Sequence, residues 1–469
     1  MLGASVYVVP FMIQRNVPGI GANVLYAFFL AAIPALFAAA AYAILASAMP
    51  RAGGSYIYAS RGLNPYLGFI ASFSQWFGLS IAIGVISYII IPFFRDICIM
   101  LEWENGAQFL EIGLVRLGLS LAMLWSFVWV NIRGLTAYQK TLLPLMFVMF
   151  GLGLIVIITG FLFNHEDFAT ALQAKENRGI PKPIGDFSFS VLLTASALLF
   201  SSFIGFDAIA QAGGEAKNPQ RNLPLAIGIA IFSVGTYYFI FTAAVYHAVP
   251  WEFVAEEAMS KDISAPGLLG YLLPPFWAVL ILLGAAIALI NDLPAMLLSV
   301  SRLMFAWASD GVFPRKMSSI HSRFHTPHLA LLGSGMMASI GILGSHFAGD
   351  FFLGIDIMVT AMLINFLLMC ITVISIATVN KPLHKEIKVF RSRRVQVLLA
   401  SLGIIGLSTF LLVHIRKDLT SEVAAWYFHS TWVYLLVIGL ASVLFFFQLN
   451  RLKRAGVSTK SLFKELPSE

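Results

Sequence analysis

Cysteine is nearly missing from this chain of 469 residues: Cys98 and Cys370 are the only two. They lie in separate apolar regions with no partner spacing, which leaves no disulfide framework and no cysteine-based metal site to infer. Charge is scarce as well. Asp, Glu, Lys and Arg make up 11% of the residues, against about 25% in a soluble domain, while 59% are hydrophobic. A P-loop, a zinc-protease motif and a kinase motif are all absent. An ATP-driven pump and an enzyme therefore find no support. No basic n-region precedes the first apolar run, so no cleavable signal peptide is read.

What the chain has instead is a series of apolar runs of about 20 residues, each long enough to cross a ~30 Å hydrocarbon core. The sequence predicts an all-α membrane protein with twelve spans, at 1–13, 22–49, 66–93, 112–132, 141–163, 188–212, 223–249, 274–305, 328–347, 351–379, 395–415 and 425–449. The net charge of +7 then belongs to basic loops rather than to a nucleic-acid surface. With the loop after span 2 in the cytoplasm, 21 of the 30 Lys and Arg residues fall on the cytoplasmic side and 9 outside. That asymmetry sets the orientation and puts the C-terminus, with its tail over 450–469, in the cytoplasm. "RSRR" at 391–394 and "RLKR" at 451–454 read as topology anchors at lipid headgroups.

Span 1 has only about a dozen residues before Gln14 and Arg15, roughly half of a crossing. Either the first helix is incomplete, lacking its cytoplasmic half, or the segment only dips into the membrane. On the first reading, roughly 15–25 further residues upstream complete it, which the upstream reading frame or an intact mass of the native protein tests.

Two places inside spans carry helix-weakening chemistry. "FIGFDAIAQAGGE" sets Gly205 beside Asp207 within span 6, and a carboxylate at that depth costs several kcal/mol unless it faces a cavity or a partner. Intramembrane backbone unwinds only where protein or a water-filled cavity satisfies its polar groups. Such a break suits a zwitterion, since N–H donors at one half-helix meet a carboxylate and carbonyls at the other meet an ammonium. The alternative is a glycine packing contact with Asp207 bonded to a neighbouring helix. "LGASVYVVP" places a second cluster, Gly3, Ala4 and Ser5 ahead of Pro10, in span 1. Spans 1 and 6 lie five apart, and that odd offset gives two five-span units opposite orientations, as in inverted-repeat transporters.

These stretches resemble the amino acid–polyamine–organocation permeases, and among them the bacterial relatives of cationic amino acid transporters. "LGASVY" is similar to the family's broken first helix, and "RAGGSYIYASRGLNPYLGF" (51–69) to its loop between spans 2 and 3. "GFDAIAQAGGEAKNPQRNLPLAI" resembles the broken sixth helix and its following loop. "SVSRLMFAWASDGVFP" (299–314) and "FHTPHLALL" (324–332) resemble the end of span 8 and the start of span 9. The likeness covers spans 1–10 by motif and spans 11–12 by length and order. It implies a 5+5 inverted repeat with discontinuous helices 1 and 6, repeats at 1–163 and 188–379, and two peripheral helices at 395–449. It also implies a substrate site at Gly3, Ala4 and Ser5 and at Phe203, Ile204, Gly205, Phe206 and Asp207. Phe203 and Phe206 are expected as pocket walls, and Asp207 as a support for the break or for an ammonium.

Departures from the family pattern bear on coupling. Many members carry a lysine midway along span 5, linked to proton coupling; here that region reads "LLPLMFVMFGLGL", with Met149 near the place and Lys140 only at the cytoplasmic mouth. The acid found in span 3 of some cationic-substrate relatives is missing from 64–92. In span 8, "ALINDLPAMLLSVSR" sets Asn291 and Asp292 where the family usually has small or hydroxyl residues. That region hosts sodium in sodium-coupled relatives, so Asp292 is the candidate to carry a proton or bind a hard cation. The alternative is a structural bend around Pro294.

"HSRFHTPH" sets His321, His325 and His328 close together, but in a basic loop with no acidic or cysteine partner, so no metal site is read there. The sequence thus predicts a secondary transporter in the cell membrane for an amino acid or related amine. It works by alternating access, coupled to H+ or Na+ or running as an exchanger, with no bound cofactor and no nucleic-acid partner. A membrane-embedded sensor that binds the same ligands without transport is the other reading. Oligomeric state is not legible.

Overall fold

A computed structural model describes residues 5–183, 185–211, 213–348, 352–423 and 425–467. The described residues form helices joined by short turns and contain no β-strand. In chain order the helices are α1 (Ser5–Asn16), α2 (Val24–Ala48), α3 (Gly54–Gly62), α4 (Pro65–Met100), α5 (Glu104–Glu111), α6 (Gly113–Ile132) and α7 (Leu135–Leu162). There follow α8 (His165–Glu176), α9 (Phe189–Leu199), α10 (Asp207–Gln211), α11 (Pro219–Ala248), α12 (Trp251–Ser260), α13 (Ala265–Leu269) and α14 (Pro275–Ser309). The last are α15 (His328–Ala348), α16 (Phe352–Val379), α17 (Lys381–Lys385), α18 (Arg393–Thr420), α19 (Ser430–Arg454) and α20 (Thr459–Leu462). Among the described residues eleven segments are long and apolar enough to cross a membrane, the interrupted α9–α10 counting as one. The protein is a multi-pass membrane protein. Helix α1 is the remaining expected span, span 1, here with 12 described helical residues, and Gly3 and Ala4 lie outside the described residues.

Helix α4 is the frame on which the rest is hung. Asn64 caps it by accepting from the N–H groups of Tyr66 and Leu67 at 2.8 and 3.4 Å, and Pro65 starts it where no N–H is needed. Its 36 residues reach about 54 Å, well beyond a ~30 Å core, so it lies tilted or projects. It runs seven residues past the predicted end at 93, because "RDICIM" after Pro92 still continues a helix at the membrane edge. Helices α14, α15 and α16 all pack on it. The approach to α15 needs glycine: a Cβ on Gly84 would stand 2.2 Å from the Ala338 carbonyl, and one on Gly341 2.6 Å from that of Ile81. Helix α2 packs on α11 and α16, α14 on α6 and α7, and α11 on α7. Helix α18 lies against α2, α9 and α16, while α19 lies against α4 and α16.

The loop between the second and third spans contains the buried helix α3. All nine of its residues are buried. An arginine stays buried only if it is paired and bonded, and Arg61, 1% exposed, forks both of its terminal nitrogens onto Asp310 at 2.5 and 2.9 Å. Tyr56 adds a third donor to Asp310 at 2.7 Å. The chain end returns to close this site. The Glu465 carbonyl accepts from Arg61 Nε at 3.2 Å, the Phe463 ring faces the guanidinium at 5.6 Å, and Asn380 donates to the Lys464 carbonyl at 2.9 Å.

Candidate functional site

Helix α9 tightens into a 3-10 turn over Phe200–Phe203 and then stops. Ile204 is extended, and Gly205 has φ +124°, a conformation that only glycine adopts without strain. The helix restarts at Asp207 as α10. The break is held from one side. Asp207, fully buried, accepts from the Gly205 N–H at 2.9 Å through Oδ1 and from Gln75 Nε2 of α4 through Oδ2. Gln75 Oε1 in turn accepts from the Ser55 hydroxyl of α3 at 2.6 Å and from Gln211 Nε2 of α10 at 3.0 Å. Asp207 is thus bonded into a network joining α3, α4 and α10, and it faces α4 rather than open space. Asp207 does not line the cavity on the other side of the break.

The other side of the break opens on a cavity of about 140 Å³. Ile204 and Gly205 line it together with Ser201 and Ser202 from the turn before the break and Ser5, Val8 and Val9 from α1. Opposite stand Leu79 to Ile89 on α4, Leu289, Asp292 and Met296 on α14, and Ile355 and Met358 on α16. These positions fall near the middle of α4 and α14, so the cavity lies deep in the bundle. Ser5 donates to the Tyr238 hydroxyl at 3.4 Å and Ser201 to the Leu198 carbonyl at 2.8 Å. Among the described residues the Ser202 hydroxyl, 2% exposed, has no hydrogen-bond partner.

The structure brings Ser5, Ile204, Gly205 and Asp292 together on one cavity and leaves Phe203, Phe206, Asp207 and Asn291 off it. Phe203 packs on Phe28 at 5.4 Å between ring centroids. Phe206 stacks on Phe366 at 5.0 Å and meets Tyr42 edge-on at 5.6 Å. Neither ring is a wall of the cavity; both wedge the break against neighbouring helices. Asn291 is buried, but it points about 100° around α14 from Asp292, and its Oδ1 carries no hydrogen bond. Asp292 itself makes an interaction within the protein. Among the described residues no group of His, Cys, Asp or Glu is placed to hold a metal ion.

Sequence reasoning missed Gln75, Gln211, Ser55 and Ser202. Gln75 did leave a signal, since it is the one amide in the apolar run 66–93. A side-chain amide at mid-span needs partners in the bundle, and here they are Asp207, Ser55 and Gln211.

The sequence model of the amino acid permease family matches residues 1–452. The human cationic amino acid transporter 4 is 26% identical over 72% of this chain and 52% of its own length. The low-affinity putrescine importer PlaP of Escherichia coli K12 is 24% identical over 76% of this chain and 72% of its own. The branched-chain amino acid permease BcaP of Bacillus subtilis 168 is 26% identical over 69% and 68%. The chain spans about half the length of the cationic amino acid transporters it matches.

Proposed function

Because the chain belongs to the amino acid permease family of the amino acid–polyamine–organocation superfamily, we propose that it is a secondary transporter of amino acids or related amines working by alternating access. The observation that carries this reading is the unwound segment Ile204–Phe206 set against a cavity deep between α1, α4, α14 and α16. Transporters bind substrate at such breaks because freed backbone groups and side chains there replace the water a polar solute leaves behind. Gly3 and Ala4, outside the described residues, belong to the same proposed site with Ser5, Ile204 and Gly205. The relatives named above as transporter, importer and permease favour transport over a sensor that binds without moving its ligand.

The helix pairings support dividing the chain into repeats at 1–163 and 188–379. Advancing every partner by five spans turns the α4–α16 contact into α14–α7, α4–α15 into α14–α6, and α2–α16 into α11–α7, while α4–α14 and α2–α11 map onto themselves. Two related bundles rocking around the breaks provide alternating access. The excess of Lys and Arg on one set of loops supports a cytoplasmic C-terminus in a cell membrane, and Asp292 is the proposed coupling residue for a proton or sodium ion.

The test is uptake of a labelled mixture of amino acids and amines by the purified chain in liposomes. Saturable accumulation is expected, and Gly205→Val, which forces a branched side chain into a φ of +124°, should reduce it to background with membrane insertion intact. Saturable binding without flux would point to the sensor. Normal uptake by Gly205→Val would move the site elsewhere.

A further inference from the structure

We infer that a cleft on the side proposed as cytoplasmic holds an anionic phospholipid, its phosphate between Arg221 and Lys388 and its acyl chains along the outer face of α11. The site lies apart from the broken helix, and it does not depend on which solute the chain carries.

The cleft forms where three connections from distant parts of the sequence meet. The turn after α2 supplies Pro50 and Arg51, the first turns of α11 supply Arg221 and Leu225, and the segment after α17 supplies Glu386 and Lys388. It is open to one side and measures about 1030 Å³, room for a headgroup together with its waters. Lys388 is held in place from both flanks. Its backbone N–H donates to the Ser47 hydroxyl at the end of α2 at 3.1 Å, and its Nζ donates to Gln220 Oε1 in the first turn of α11. Gln220 is neutral, so the bond positions the ammonium without cancelling its charge, and an ammonium has further N–H donors to give.

Basic groups outnumber acidic ones here. Arg51, Arg221 and Lys388 line the cleft against Glu386 alone, and an adjoining cleft that shares Glu386 and Lys388 adds Lys385 and Arg391 with no further carboxylate. Arg51 already makes an interaction within the protein, so the phosphate is assigned to the other two cations of the main cleft. Among the described residues neither Arg221 nor Lys388 meets a carboxylate in an ion pair. A singly charged phosphate diester suits this excess, and the planar guanidinium of Arg221 matches a pair of phosphate oxygens.

The apolar half of the ligand follows from α11. Arg221 is exposed, and Leu225, one turn further on, lines the cleft and is 56% exposed. Ile229 and Phe232, 57% and 65% exposed, continue at the spacing of one helix face. A cation thus stands at the head of an apolar stripe that descends about 10 Å from Leu225 to Phe232 along α11. A water-soluble phosphate would use the cations and leave the stripe bare, whereas a phospholipid matches both, in the same order. Anionic lipids are also a component of the cytoplasmic leaflet, the one this side of the protein faces on the proposed topology.

The test measures competition for a tail-labelled fluorescent phosphatidylglycerol bound by the full chain in detergent micelles. Unlabelled phosphatidylglycerol is expected to displace it at least ten-fold more effectively than phosphatidylcholine, whose phosphate is balanced by choline. The same margin is expected over inorganic phosphate and glycerophosphoglycerol, which have no acyl chains. Equal displacement by phosphatidylcholine overturns the anion site, and equal displacement by either soluble phosphate overturns the lipid as its occupant. Arg221→Gln combined with Lys388→Gln should cut the preference for phosphatidylglycerol over phosphatidylcholine at least five-fold. Arg451→Gln combined with Arg454→Gln, in the basic run that ends α19, should leave that preference in place. The preference is a ratio, so it does not depend on how much protein folds. A 221/388 variant that keeps the wild-type ratio, a 451/454 variant that loses it equally, or a wild-type chain that binds none of the labelled lipid overturns the inference.

Discussion

Gln75 holds more of the site than its single amide group implies. It donates to Asp207 and accepts from Ser55 and Gln211, so Gln75→Leu strands a buried carboxylate oxygen and the Ser55 hydroxyl and leaves Gln211 Nε2 only its 3.4 Å bond to Ser55. Each unsatisfied group costs about 1–3 kcal/mol. The expected result is a lower melting temperature in detergent together with lost uptake, whereas Gln75→Glu tests charge, since two carboxylates would then face each other. A Gln75→Leu protein that melts and transports like the wild type would show that the break holds itself. Asp292 makes a different demand. Asp292→Asn keeps the shape of the cavity and removes its charge, so uptake driven by a proton or sodium gradient should be lost while exchange of internal for external substrate continues. Both fluxes can be measured in the same liposomes. Full gradient-driven accumulation by the variant would reduce Asp292 to a structural role at the Pro294 bend.

At the scale of elements, the apolar length of each span was readable because a bilayer crossing is a local property of about 20 residues. Helix α3 was not readable. "GSYIYASRG" has neither the length of a span nor a clean apolar face, and it is buried only because Arg61 finds Asp310, 249 positions later. The site divides along the same line. Gly205, Ser5 and Asp292 announced themselves by local chemistry, a glycine or a polar group out of place in an apolar run. The partner of Asp207 lies 132 positions away in α4, and the pockets of Phe203 and Phe206 are made by α2 and α16, so no local pattern could assign them. The Arg61–Asp310 pair offers a clean element-scale test. Removing one partner leaves an uncompensated buried charge, at a cost of about 3–5 kcal/mol, whereas removing both is often far milder. Arg61→Met and Asp310→Leu should therefore each lower the melting temperature sharply, and the double variant should regain at least half of the loss. Additive losses would mean that the two side chains act separately.

For the whole molecule, the bundle is asymmetric in how tightly its parts are held. Helices α4 and α16 are buried along most of their membrane windows, while α18 and α19 face outward over most of theirs. The outer pair still reaches inward at chosen points: Phe410 of α18 meets Phe200 beside the break at 6.1 Å, and Tyr434 of α19 bonds Ser74 of α4 at 2.7 Å. From α19 the chain turns back, and its last described stretch lies over Arg61, with Phe463 and the carbonyls of Lys464 and Glu465 in place. This return makes the end of the chain a proteolytic reporter. A protease needs several residues of extended, unbonded backbone, and the carbonyls of Lys464 and Glu465 are both bonded. Trypsin should therefore cut there slowly in the wild type and at least five-fold faster in Arg61→Ala, with the fragments read by mass. Equal rates would mean that the tail is held by something other than the buried pair. If rocking of the bundles separates α3 from the end of α14, substrate that drives the cycle will also speed the cut, and digestion at one lysine will clock a motion deep in the membrane.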